Sequence, residues 1–245
     1  MNEIDLSTVI FDLDDTLASY EESVEGALEK AFEESGVGNP PFSADQYREE
    51  YARIFDSEIQ SRSPSLPFRA KIFLNLAGDQ GNLSEEKILD AAQIFTQIRE
   101  DQIKLFPDAQ EVLGTLGERY KLGLLTNGPS DVQWGKIHAL NIKSYFEEIV
   151  VSGDYGVSKP HSQIFHHALE KLKTSTRESI YIGNSLKYDI EGAQQVGIYA
   201  VWKDNDHEEE DLPEVKPDAV IRDLSELLSL ITSSSKQGAT GRQQT

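Results

Sequence analysis

Three carboxylates and a hydroxyl fall close together in Asp12-Leu13-Asp14-Asp15-Thr16, directly after the apolar run Val9-Ile10-Phe11. Closely spaced carboxylates can transfer protons, attack as nucleophiles or bind a hard cation. A short apolar run of β-branched and aromatic residues reads as a strand buried on both faces. Ligands of open α/β sheets lie just beyond the carboxyl ends of the strands. Acids placed there face a site, whereas core positions would force them to neutralise or find a partner. Capping the next helix would use an Asp or a Thr. Three like charges at such spacing exceed that need, because they repel one another. A calcium loop fails as well: Leu17 stands where the loop requires Gly, and Ser23 where it requires Glu.

The elements that must position this cluster follow from the pattern of the chain. From Tyr20 to about Lys104 the sequence reads as successive helices. Val24, Ala27, Leu28, Ala31 and Phe32 form one helical stripe, closed by the breaker cluster Gly36 to Pro41. Ser43 and Gln46 predict a capping box for a second helix carrying Tyr47, Tyr51, Ile54 and Phe55. After an interruption from Ser61 to Pro67, Phe68, Ile72, Phe73 and Leu76 supply a third, ending at Gly78. Ser84-Glu85-Glu86 opens a fourth, with Ile88, Ala91, Ala92 and Phe95 inward. This exceeds a simple crossover between strands, so a helical bundle over 19–102 is expected as a cap inserted into a core of 1–18 and 103–232.

From Leu105 strands and helices alternate, which predicts an α/β fold with a parallel sheet covered on both faces. Strands are expected at 121–125, 148–152, 179–182, 198–202 and 219–221. Helices are expected at 108–118, from Ser130 with a second capping box to Gln133, at 162–171, at 190–196 and at 224–231. The acidic run Asp204 to Asp211 reads as a solvated loop, and 233–245 as a disordered tail. Four strand ends then carry polar chemistry: Asp12, Asp14 and Thr16; Thr126-Asn127-Gly128-Pro129; Lys159-Pro160; and Gly183-Asn184 through Asp189. Lys159 or Thr126 alone would be a surface residue or a cap; together the four are hard to assign to packing.

Composition narrows the partners. The net charge of −20 over 245 residues argues against a nucleic acid polymer, whose binding depends on dense Lys and Arg. An anionic substrate would therefore need a locally positive site. No apolar run reaches the ~20 residues of a membrane span, and no basic-apolar leader is visible, so a cytoplasmic protein is expected. Cysteine is absent, which excludes disulfide and thiolate chemistry. No Gly-x-Ser-x-Gly elbow, Walker loop or zinc-type His spacing is present.

The four motifs, in this order and on these elements, resemble those of the haloacid dehalogenase-like (HAD) hydrolase superfamily, which consists mostly of phosphatases. The resemblance spans nearly all of 7–232. It implies a three-layer Rossmann-like parallel sheet with an α-helical bundle as cap. The segment Thr126 to Ser130, continued through Gln133 and Lys136, is similar to the branch of nucleotide and N-acylneuraminate-9-phosphate phosphatases. By this resemblance Asp12 is the nucleophile that forms an aspartyl-phosphate, and Asp14 protonates the leaving oxygen and later deprotonates water. Thr126 and Asn127, with Gly128, would bind phosphoryl oxygens, and Lys159 would supply fixed positive charge. Mg²⁺ would be held by Asp12, the Asp14 carbonyl, Asn184 and Asp189. The expected substrate is a small phosphorylated metabolite, a sugar phosphate or a nucleotide. Asn184 departs from the family's usual Asp and predicts either weaker Mg²⁺ binding or a larger share of coordination for Asp189. His161-Ser162 also departs, and His161 is expected at the surface. The alternatives are dehalogenation of a 2-haloacid by the same Asp12, or a weakly active or non-catalytic relative. A halide leaves without a proton, so Asp14 favours phosphate.

Overall fold

The computed structural model describes residues 6–61, 66–78, 83–205 and 215–237. Strand β1 (Thr8–Phe11) runs into the acidic cluster and a short strand β2 (Ala18–Tyr20). Helices α1 (Val24–Glu34), α2 (Ala44–Ser61), α3 (Phe68–Ala77) and α4 (Glu85–Gln102) follow, and β3 (Ile103–Leu105) returns. Then come α5 (Ala109–Gly117), β4 (Lys121–Thr126), α6 (Ser130–Ala139), β5 (Glu148–Val151), the single turn α7 (Ser152–Tyr155) and α8 (Ser162–Leu172). The chain closes with β6 (Ser179–Gly183), α9 (Gly192–Gln195), β7 (Tyr199–Lys203), β8 (Ala219–Ile221) and α10 (Glu226–Gln237).

Six strands form a parallel sheet in the order β5-β4-β1-β6-β7-β8. Alternation along β1 explains the layers. Val9 and Phe11 pack with Leu113 of α5, Ile137 of α6 and Leu227 of α10. Ile10 points the other way, among Ile164 and Phe165 of α8 and Ala193 of α9. Because Phe11 is in register with both Leu124 and Ile182, the chain beyond β1, β4 and β6 emerges at one edge of the sheet. Asp12, Thr126 and Gly183 meet there.

The first four helices build a separate apolar cluster on the predicted stripes, and Ala27, Leu28, Ala31 and Phe32 are all buried in it. Phe73 lies parallel to Phe32 at 5.4 Å and edge-on to Phe42 at 5.2 Å, arrangements that add to area burial. Ser43 and Gln46 exchange the two bonds of a capping box, at 2.8 and 3.2 Å. Both chain crossings into this region run through one antiparallel pair, Ala18–Tyr20 against Ile103–Leu105.

Several expectations need correction. The capping box at Ser130 does not form: the N-cap is Pro129, without a side-chain bond, and Gln133 turns inward. The predicted helix at 190–196 begins earlier, as a π-helical turn over Leu186–Glu191. The closing helix runs on to Gln237, so 233–237 are helical rather than part of a disordered tail. Residues 238–245, most of the acidic run after Asn205, and part of the 61–67 interruption lie outside the described residues. No helix among the described residues is long and apolar enough to cross a membrane.

Candidate active site

Asp12 ends the central strand and is buried. Its Oδ1 accepts from Lys159 Nζ at 2.6 Å, and its Oδ2 from the Thr16 hydroxyl at 3.1 Å. Lys159 Nζ also donates to Asp189 Oδ1 at 2.6 Å and to the Tyr181 hydroxyl at 3.0 Å. Burial disfavours each charge, so the network persists through mutual pairing. Burial pushes the Asp12 carboxyl up to about 7; Lys159 opposes this, while Asp189 and Asp14 add to it. For Lys159, burial works against the charge, but Asp12 and Asp189 prevail and hold its ammonium above the ordinary lysine range.

Asn127 grips the Lys159 main chain from both ends, accepting its N–H at 2.8 Å and donating to its carbonyl at 3.0 Å. Its side chain thus aims the lysine. Gly128 is likewise committed, its N–H bonded to Ser152 Oγ at 2.9 Å. Asp189 places Oδ1 on Lys159 and on Tyr181 at 2.9 Å, and Oδ2 on the Ser185 N–H at 2.9 Å. A Cβ at Gly183 would collide with this carboxylate.

On the other side of Asp12, the Asp14 carboxylate accepts from Lys136 Nζ at 2.7 and 2.9 Å and from Gln133 Nε2 at 2.9 Å. Burial raises its pKa, but Lys136 and Gln133 outweigh that and hold the carboxyl below its usual value. Gln133 Nε2 also donates to Thr126 Oγ1 at 2.8 Å and to the Asn127 carbonyl. Its Oε1 is buried without a partner, a cost of about 1–3 kcal/mol. Gly128 sits at φ 153°, and a Cβ there would meet Gln133 Cγ at 2.7 Å. The sequence alone assigns no role to Gln133 or Lys136. Their signal was an i, i+3 pair on the helix that follows Thr126.

The Thr16 hydroxyl lies 3.1 Å from Asp12 Oδ2 and 3.5 Å from Asn184 Oδ1, so these two oxygens share one side of the site. The donors are hard oxygens, and three carboxylates (Asp12, Asp14, Asp189) face two lysines, leaving net negative charge. Among the described residues no group of three or more His, Cys, Asp and Glu side chains is arranged to hold a metal. Mg²⁺ keeps several waters and takes few protein ligands, so this donor set suits it. Asn184 and Asp15 also line a cavity of about 570 Å³ beside the site, with Phe106, Lys203 and Arg222.

The class is an α/β fold whose central parallel strand ends in a buried, lysine-paired aspartate. The chain belongs to the haloacid dehalogenase-like hydrolases, whose family model matches residues 9–203. It is 32% identical over 236 residues to a glyceraldehyde 3-phosphate phosphatase of Pyrococcus furiosus, covering 92% of this chain and 93% of the relative. Among solved structures it resembles a 2-haloacid dehalogenase from Pseudomonas syringae, with a TM-score of 0.71 and 26% identity over 93% of this chain and 99% of the other. It also resembles the HAD-hydrolase YfnB of Bacillus subtilis bound to magnesium, with a TM-score of 0.66 and 25% identity over 92% and 98%.

Proposed function

We propose that the protein is a Mg²⁺-dependent phosphatase that hydrolyses a small phosphorylated metabolite, a sugar phosphate or nucleotide, through an aspartyl-phosphate on Asp12. The observation that carries this reading is the second carboxylate, Asp14, held at its own lysine beside the first. In the first step an Asp12 carboxylate oxygen attacks phosphorus, the bond to the leaving oxygen breaks, and Asp14 gives that oxygen a proton. In the second step water attacks phosphorus, Asp14 takes its proton, and the bond to Asp12 breaks. The lowered pKa favours the ionised form of Asp14, which is the form the second step needs. The first step requires its protonated form. The Thr126 hydroxyl accepts from Gln133 and keeps its own proton to give to a phosphoryl oxygen.

The Asp12 carboxylate, the Asp14 main-chain carbonyl and the Asn184 carboxamide would hold Mg²⁺. Asp189 would contribute charge through Lys159 and Ser185 rather than a direct bond. Bound there, the ion would offset negative charge on Asp12 and on the phosphoryl group. Dehalogenation of a 2-haloacid is the second reading, favoured by Asn184 and by the likeness to the Pseudomonas enzyme; a leaving halide needs no proton, so the second carboxylate, Asp14, favours phosphate. The test is a panel of phosphomonoesters, including glyceraldehyde 3-phosphate, sugar phosphates and nucleotides, assayed with Mg²⁺ and with chelator. Halide release from 2-haloacids is followed in parallel. Mg²⁺-dependent phosphate release supports the proposal; halide release without phosphatase activity overturns it.

A further inference from the structure

Helix α6 presents two different faces. On one, Val132 enters the apolar cluster of α1–α4, and Asp131 Oδ2 accepts the Phe68 N–H of α3 at 2.9 Å. On the other, Gln133 and Lys136 converge on Asp14. Both of these side chains are buried. Lys136 touches both Asp14 oxygens and lies 5.5 Å from the Tyr20 ring. Gln133 shares its two amide protons among Asp14, Thr126 and the Asn127 carbonyl, while its own Oε1 stays unpartnered. A residue retained for packing would not bury an unpartnered carbonyl, and the hydrogen-bond partners of Asp12 and Lys159 include neither side chain.

We propose that Lys136, with Gln133, is a positioning residue: together they fix the rotamer of the Asp14 carboxylate so that one oxygen faces the leaving group and the attacking water. This rests on the proposed role of Asp14 in proton transfer. An unheld Asp14 side chain has free rotamers, and a proton-transfer group must lie within hydrogen-bond reach of its partner. Two contacts from one rigid helix, itself braced against α3, remove that freedom. The Lys136 ammonium bonds to Asp14, whereas Gln133 also holds the Thr126 hydroxyl on the phosphate side, so Lys136 carries the cleaner reading.

The test is a double-mutant cycle on the full chain with its best phosphomonoester. Lys136→Met and Gln133→Met are made singly, in the parent and in Asp14→Asn; melting temperatures confirm folding, and either variant alone suffices if the other fails to fold. Each is expected to lower kcat about 10- to 100-fold in the parent, part of the range of acid–base assistance, with KM within about 3-fold. In the Asp14→Asn background Lys136→Met should change kcat by less than about 2-fold, because residues acting as one unit are non-additive, and Gln133→Met should keep only the part of its loss that runs through Thr126. An equal loss in both backgrounds, a rise in KM at constant kcat, or no loss in the parent would overturn the positioning role. Full activity of Asp14→Asn alone would instead overturn the proposed function.

Discussion

The two lysine–aspartate sets of the site occupy unlike surroundings. Around Lys159 everything is sealed: the lysine side chain is 2% exposed, and Asp12, Asp189 and Tyr181 surround it. Around Lys136 the aspartate reaches solvent, with the Asp14 side chain 36% exposed. Sealed charges must be matched within the protein, because burial of an unpaired ion is costly. A partly hydrated carboxylate can change protonation and partner at lower cost. The sealed side suits a group held in one place by its partners, and the open side suits one that substrate and water can reach.

Four substitutions would break or sharpen this contrast. Asp12→Asn is expected to reduce phosphatase turnover by about 10⁴-fold or more, as loss of a covalent nucleophile does. Its urea-unfolding stability should stay within about 1 kcal/mol of the parent, since it removes an anion that burial already disfavours and Lys159 keeps Asp189. Turnover near the parent rate would end the assignment of Asp12. Lys159→Met leaves two buried carboxylates uncompensated and should cost about 3–5 kcal/mol in the same unfolding measurement. Lys136→Met leaves a carboxylate that water can reach, and should cost about 1 kcal/mol or less. Equal losses for the two lysines would erase the distinction between sealed and open sides. The smallest effect belongs to Asn184→Asp, which adds a charge near Asp12 Oδ2 and is expected to lower the Mg²⁺ concentration for half-activation about 3- to 10-fold. A magnesium titration of activity reads it directly, and no gain in metal affinity would count against Asn184 as a ligand.

The contrast also separates what the sequence displays from what it hides. The motifs around Lys159 are contiguous with strand ends, so β-periodicity alone carries Asp12, Thr126 and Gly183 to one edge of the sheet. The cap helices were legible through their apolar stripes and through Ser43 with Gln46. Gln133 misled because Ser-x-x-Gln suits a capping box as well as an inward-facing glutamine. Only the placement of α6 over Asp14 and Gly128 decides between them. The inward turn of Lys136 was hidden for the same reason. The grip of the Asn127 side chain on Lys159 was equally hidden, because nothing local reveals that the two will pack together. Strands β2 and β3 are short and pair across the whole helical insertion, so no local periodicity announced them.

That small ribbon has a consequence for how such a molecule can be remodelled. Glu21 N–H donates to the Gln102 carbonyl at 3.1 Å, so the polypeptide leaves for the helices and comes back at almost the same point. Neighbouring antiparallel residues lie about 4.5–5.5 Å apart. Excising everything between them would leave two stumps that a tight hairpin can join without rethreading a single sheet strand. The helical segment is thus topologically interchangeable: a longer, shorter or unrelated module grafted at Tyr20 and Ile103 would inherit the same catalytic floor beneath it.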